Sequence, residues 1–213
     1  MKTPAKKLAQ SLLQINAIQL NPQKPFQWAS GLRSPIYCDN RLSLSHPKLR
    51  KDIKVQLCQH IQGLDATIDV VVGVATAGIP QAALIADALD LPLLYVRSKP
   101  KAHGRQNLIE GQIQHEMNRA VVIEDLISTG QSSLKAVSAI RENGMEVAEV
   151  LSIFTYGLDA SREAFAEADC TSYSLTDYST LIEVALEEGT IKDKDIAVLR
   201  AWRKDPKSWN FTS

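Results

Sequence analysis

The sequence predicts an α/β fold with a mostly parallel central sheet flanked by helices, and two observations carry that prediction. Several short segments are almost wholly apolar, and each is followed by a stretch with helical periodicity. Strands without a polar face belong to a sheet covered on both sides, and alternation of strand with helix marks parallel crossovers. In such a sheet, a binding crevice lies at the carboxyl ends of the strands.

The elements follow in order. The opening reads as a helix: Thr3 can cap it, Pro4 fits its first turn, and Leu8, Leu12 and Ile15 share a face. From Phe26 to Asp39 there are two short extended runs around Ser30-Gly31, a hairpin or meander. Ser45, with Pro47 just inside, starts a second helix on which Leu49, Ile53, Leu57 and Ile61 recur every four residues. Strand Val70 to Val74, a helix from about Ile79 to Leu89 and strand Leu93 to Arg97 come next. After a long polar insertion, an apolar run from Ala120 to Ile123 ends in Glu124 and Asp125, and a helix with Leu134, Val137 and Ile140 on one face follows. Strand Val147 to Tyr156 precedes a remainder, Asp159 to Ser213, that reads as a short helix, a short strand around Tyr173 and one or two closing helices. No internal repeat or low-complexity linker divides the chain, so one domain over residues 1–213 is expected, with a small N-terminal hood from about residues 1–45.

Composition narrows the function classes. A chain of 213 residues has ample apolar content for a core. The 24 Lys and Arg balance the 24 Asp and Glu, so net charge favours neither nucleic acid nor an anionic membrane as partner. Cys38, Cys58 and Cys170 are odd in number and scattered, without metal-type spacing, and read as reduced thiols of a cytoplasmic protein. No signal peptide and no run of transmembrane length are evident. His46 and His60 read as surface residues, Glu187-Glu188 as a solvated helix end, and Trp202 and Trp209 as docking anchors.

The stretch Val121 to Ser133, VVIEDLISTGQSS, is the most informative. A buried strand ends in two acids and turns over Ser128, Thr129, Gly130, Gln131 and Ser132 into a helix. Backbone N–H groups and hydroxyls of such a turn can face a phosphate, and the helix N-terminus adds partial positive charge. The acids can take sugar hydroxyls or a sugar-bound metal. A generic strand-turn-helix crossover with a Ser/Thr cap would use the same letters. No Gly-Lys-Ser/Thr ends the turn and no Gly-x-Gly-x-x-Gly stands in the chain, which removes the Walker and dinucleotide loops.

Three further constellations have sites in the same crevice or over it. Gly73 to Pro80 is a loop of tiny residues between a strand and a helix, suited to close backbone approach by an anion or simply to tight packing. Arg97 to Arg105 is strongly basic in a chain with no net charge, and either closes over a polyanion or lies solvated on the surface. Phe26 to Arg41 is by physics alone a hairpin with aromatic packing.

The segment Val121 to Ser133 resembles the 5-phosphoribosyl pyrophosphate (PRPP) motif of the type I phosphoribosyltransferases. The pattern Phe-x-x-x-Ser-Gly-x-x-Ser-Pro from Phe26 to Pro35 resembles the hood of the orotate phosphoribosyltransferases, and four ordered blocks over about residues 15 to 160 carry the likeness. The resemblance implies a type I phosphoribosyltransferase fold and transfer of the phosphoribosyl group from Mg-PRPP to orotate, giving orotidine 5′-monophosphate and pyrophosphate in pyrimidine synthesis. It implies PRPP contacts at Glu124, Asp125, Leu126, Ile127, Ser128, Thr129, Gly130, Gln131 and Ser132, with Asp125 catalytic and Ser128 also reaching orotate. Ala75, Thr76, Ala77 and Gly78 become the pyrophosphate loop, with a non-proline cis peptide near Ala75-Thr76. Arg97, Lys101 and His103 contact PRPP, Lys101 is the main catalytic cation and His103 closes with it over the pyrophosphate. Mg²⁺ arrives on PRPP rather than in a protein cage, and the enzyme is a homodimer whose basic loop reaches into the neighbouring site. This chain departs from relatives at Ala29, Ala77 and Ser98, where some carry lysine; Lys99 is the neighbouring candidate to replace the last. A transferase for a purine or another base, or a PRPP-sensing regulator of the same fold, would share most of these features.

Overall fold

The computed structural model describes residues 2–28, 31–99 and 108–209. In chain order, α1 (Pro4–Gln14) leads to β1 (Ile18–Leu20), β2 (Phe26–Gln27), β3 (Arg33–Ser34) and β4 (Ile36–Cys38), then to a 3-10 turn over Asn40–Ser45. Next come α2 (Pro47–Gln62), β5 (Val70–Val74), α3 (Gly78–Leu89), β6 (Leu93–Val96) and β7 (Ile109–Glu110). The chain continues through β8 (Arg119–Ile127), α4 (Gln131–Glu142), β9 (Glu146–Thr155), α5 (Asp159–Glu167), β10 (Ser172–Asp177), α6 (Tyr178–Glu187) and α7 (Asp193–Lys204).

The central sheet has six strands in the order β10-β9-β8-β5-β6-β7. Every neighbouring pair is parallel except β6 with β7, which runs back antiparallel along the edge. All five residues of β5 are buried, as expected for a strand with helices on both faces. Successive side chains go to opposite sides. Val71, Val121, Ile123 and Leu151 therefore join a core with Leu8 and Leu12 of α1, Ile53 and Leu57 of α2, and Leu181 of α6. Val70, Val72 and Val122 face the other way onto Val137 and Ile140 of α4 and Phe165 of α5. Each fully buried aliphatic side chain contributes about 1.5–3 kcal/mol, so the stack on both faces holds the carboxyl edge of the sheet in place.

The predicted parallel sheet is observed, with several corrections at its margins. The second helix starts at Pro47, because Ser45 is the last residue of the 3-10 turn and His46 sits at the N-cap without a side-chain cap bond. The third helix starts at Gly78. The strand of the acidic pair does not stop there: β8 runs on to Ile127 because β9 pairs with it as far as Ile127 opposite Thr155. On its other side, β5 leaves β8 at Gly73 opposite Ile123. Glu124 and Asp125 thus stand where the sheet opens. The short strands β1 and β7 were not legible in the sequence. β1 pairs with β4, and β7 returns along β6 after the basic insertion, with the Arg97 amide donating to the Leu108 carbonyl at 2.9 Å.

The first and last described helices are fastened to this frame. Lys6 Nζ of α1 lies 2.8 Å from Glu187 and 3.2 Å from Glu183 of α6, so the Glu187 end of that helix is ion-paired rather than merely solvated. His60 is half-buried, not a free surface residue: its Nε2 is 2.6 Å from Glu149 and its ring stacks on Tyr173 at 3.9 Å. Trp202 of α7 is 1 % exposed and Trp209 packs against the same core, as docking anchors should.

Candidate active site

Two strand-to-helix turns meet at the open end of the sheet. The first follows β5, where Ala75 to Ala77 connect to α3 and the Ala75-Thr76 peptide is cis. The second follows β8, where Gly130 takes φ +82° to start α4; a Cβ there would lie 2.8 Å from the Phe165 ring. No side chain caps the N-terminus of α3 or of α4. Apart from the Ile79 amide, which donates to the Thr76 carbonyl at 3.4 Å, their first-turn N–H groups can face anions, with the helix dipoles adding to the attraction.

Glu124 is 5 % exposed, and its carboxylate is held from two sides. Oε2 accepts from the Ser132 hydroxyl at 2.9 Å and the Ser133 hydroxyl at 3.3 Å, and Oε1 accepts from the Asp125 amide at 3.1 Å. Burial pushes the Glu124 carboxyl up from its ordinary value of 4.5 to about 8, and the Asp125 charge adds to the shift. Burial raises Asp125 as well. Both acids are therefore harder to ionise than free carboxylates. Desolvation pushes the half-buried Cys38 thiol up, and the nearby Asp125 charge adds to that shift.

The expected residues divide by what their side chains do. Glu124, Asp125, Ser128, Thr129, Gly130, Gln131 and Ser132 lie together at the strand end and turn. Ser132 spends its hydroxyl on Glu124. Leu126 and Ile127 turn into the packing layers on opposite faces, so any contact they make with a ligand is through the backbone. Ala75, Thr76, Ala77 and Gly78 form the neighbouring loop. Gly78 is pressed against β8 so tightly that a Cβ would stand 2.3 Å from the Ile123 carbonyl oxygen. Arg97 reaches the same end of the sheet but pairs through Nη1 with Glu110 at 3.2 Å. Lys101 and His103 lie outside the described residues, as do Ala29 and Ser30 of the hood pattern.

Several site residues had no role in the sequence reading. Asn40, 1 % exposed, donates from Nδ2 to the Asp125 carbonyl at 2.7 Å and so fastens the hood's exit turn to the acidic pair. Its only signal was a polar triplet, Asp39-Asn40-Arg41, closing the hood pattern. Trp28 donates from Nε1 to the Ile36 carbonyl at 3.2 Å, stacks on Tyr156 at 5.6 Å and meets Trp202 edge-on at 5.8 Å. Beside that cluster is a recess of about 210 Å³ lined by Trp28, Leu32, Ser128, Thr129, Ala160 and Arg203. Arg203 holds its far wall, donating to the Gly157 carbonyl from Nε at 3.3 Å and Nη2 at 3.2 Å, and to Ser179 from Nη1 at 2.5 Å. The β2–β3 connection and the end of α7 therefore share a cavity with the turn between β8 and α4.

Fold and crevice together define a phosphoribosyl transferase domain, and the model of that family matches residues 43–187. The chain is 54 % identical over 201 residues to the orotate phosphoribosyltransferase of Bacillus subtilis, covering 94 % of this chain and 93 % of the relative. It is 50 % identical over 210 residues to that of Bacteroides thetaiotaomicron, covering 99 % of each. Among solved structures, the orotate phosphoribosyltransferase of Aeropyrum pernix superposes with a TM-score of 0.70 at 30 % identity, over 87 % of this chain and 99 % of that one. The chain belongs to the orotate phosphoribosyltransferase family. Among the described residues, no helix is long and apolar enough to cross a membrane.

Proposed function

We propose that this chain transfers the 5-phosphoribosyl group of PRPP to orotate, giving orotidine 5′-monophosphate and pyrophosphate for pyrimidine nucleotide synthesis. The observation that carries the proposal is the meeting of the Glu124-Asp125 strand end with two uncapped helix N-termini. The chemistry is displacement at C1 of the ribose through an oxocarbenium-like transition state with inversion, and it needs no protein nucleophile. The crevice must align two anionic reactants, face the cationic ribose with negative charge and neutralise the departing pyrophosphate.

Asp125 and Glu124 hold the ribose hydroxyls, and their charge lies beside the growing cation. Amides from Ser128 to Ser132 take the 5′-phosphate, and the Ala75 to Gly78 loop takes the pyrophosphate. The acceptor enters the recess beside Trp28, where the Ser128 hydroxyl meets its ring edge. Lys101 and His103 close over the pyrophosphate, and Arg97 exchanges Glu110 for a phosphate oxygen. The hard oxygen donors of Glu124 and Asp125 suit Mg²⁺ delivered on PRPP, and the ion supplies charge neutralisation on the pyrophosphate. Residues 1–213 act as one domain with a hood from about residues 1–45. The working unit is a cytoplasmic homodimer in which the basic loop serves the neighbouring site.

An ultraviolet assay of orotate consumption with PRPP and Mg²⁺, run beside adenine, hypoxanthine and uracil, tests the activity. Orotate alone should be consumed, and turnover of a purine instead would refute the acceptor assignment. Mixing Lys101→Ala subunits with Asp125→Asn subunits tests loop sharing: activity should partly return in the mixed dimer, and no return would count against it.

A further inference from the structure

A second cavity, of about 250 Å³, lies between the carboxyl ends of β5 and β6 and the first turns of α4. Ala75 of the small-residue loop lines it, with Arg97, Ser98, Ser132 and Lys135. The two cations in that lining are in different states. Arg97 is paired with Glu110. Lys135 Nζ, in contrast, donates to the Ser98 carbonyl at 2.6 Å and forms no ion pair among the described residues. An ammonium has three donors and here spends one, on a neutral acceptor, so its full charge and two donors remain. It stands beside the loop that the proposed function assigns to pyrophosphate.

We propose that Lys135 binds the pyrophosphate end of PRPP and supplies the charge that a lysine at position 98 supplies in some relatives. This rests on the crevice assignment above. Ser98 itself carries no charge, and Lys99 was the neighbouring replacement expected from sequence. The structure instead brings an ammonium from α4, 37 residues along the chain, to the backbone of residue 98 itself. The same contact links the backbone at Ser98 to α4, so the ammonium proposed to meet pyrophosphate also holds the chain just after β6.

Lys135→Met tests the assignment, with fold checked by thermal melting. The KM for PRPP and the calorimetric Kd for inorganic pyrophosphate with Mg²⁺ should each rise at least about tenfold, the scale of one charge-assisted hydrogen bond. The KM for orotate should stay within about twofold, whereas a merely structural role would move both substrates together. Ser98→Lys added to Lys135→Met should bring pyrophosphate affinity back to within about threefold. Unchanged pyrophosphate binding in a folded Lys135→Met protein overturns the proposal, and so does a double variant no tighter than the single one. The pyrophosphate titration needs no acceptor, so it reads Lys135 even if orotate proves not to be the substrate.

Discussion

Gly78→Ala is the most demanding test of how the Ala75 to Gly78 loop and the acidic pair are joined. A Cβ at this position would stand 2.3 Å from the Ile123 carbonyl oxygen, 3.2 Å from its carbonyl carbon and 3.3 Å from the Glu124 Cα. All three are backbone atoms of β8, which β9 pairs through this stretch, so no rotamer change relieves the clash. Ordinary contact begins near 3.4 Å, which requires α3 and β8 to separate by roughly 1 Å. Forcing such space into a packed core costs about 3 kcal/mol, the upper end of ordinary overpacking. For a chain of this size that lowers Tm by about 6–12 °C. The displaced backbone carries Glu124, and a misplacement of roughly 1 Å in reacting groups costs about a hundredfold in rate. Differential scanning fluorimetry and the orotate assay measure the two effects. Gly63→Ala is the control: its nearest contacts are 3.4 and 3.5 Å at a right-handed φ of −88°, and its Tm should hold or rise slightly. A Gly78→Ala protein with Tm within about 2 °C of wild type and turnover within about threefold would refute the contact reasoning.

Two other expectations follow from the geometry. The Glu124 carboxyl is raised in the folded protein, so between its ordinary value of 4.5 and about 8 the native state binds more protons than the unfolded chain. Stability of the ligand-free protein should accordingly fall as pH rises through that window, by up to about 1.4 kcal/mol per pH unit; urea unfolding at several pH values measures the slope, and Glu124→Gln should flatten it. Trp202→Ala removes a buried ring from between Trp28, Tyr156 and Tyr178, which should cost about 3–5 kcal/mol and raise the KM for orotate more than that for PRPP. A Trp202→Ala protein that binds both substrates normally would separate the aromatic cluster from the acceptor recess.

Periodicity carried most of the fold because the strands of a covered sheet have no polar face to confuse with anything else. Val70 to Val74 and the helix of Leu134, Val137 and Ile140 were legible for that reason. β1 and β7 were not, since segments of three and two residues have no period and exist only by pairing with β4 and β6. The end of β8 was misplaced because charge suggested a stop, while β9 supplies partners through Ile127. In the site, residue types marked out the turn between β8 and α4, but the bonds that set it are between distant positions. Asn40 reaches Asp125 across 85 residues and Lys135 reaches Ser98 across 37. Neither spacing leaves a mark in the local text. The seryl pair on Glu124 was partly legible: Ser132 was expected to face phosphate, and it is the folded turn that gives its hydroxyl to the acid.

The contact of Trp28 with Trp202 joins two segments 174 residues apart in the chain. The recess beside Trp28 takes Leu32 from one of them and Arg203 from the other, against Ser128 and Thr129 of the turn after β8. Its shape is thus the joint property of remote stretches of chain, and none of them sets it alone. Reshaping the recess calls for paired changes in the β2–β3 connection and in α7, with the strand ends left untouched.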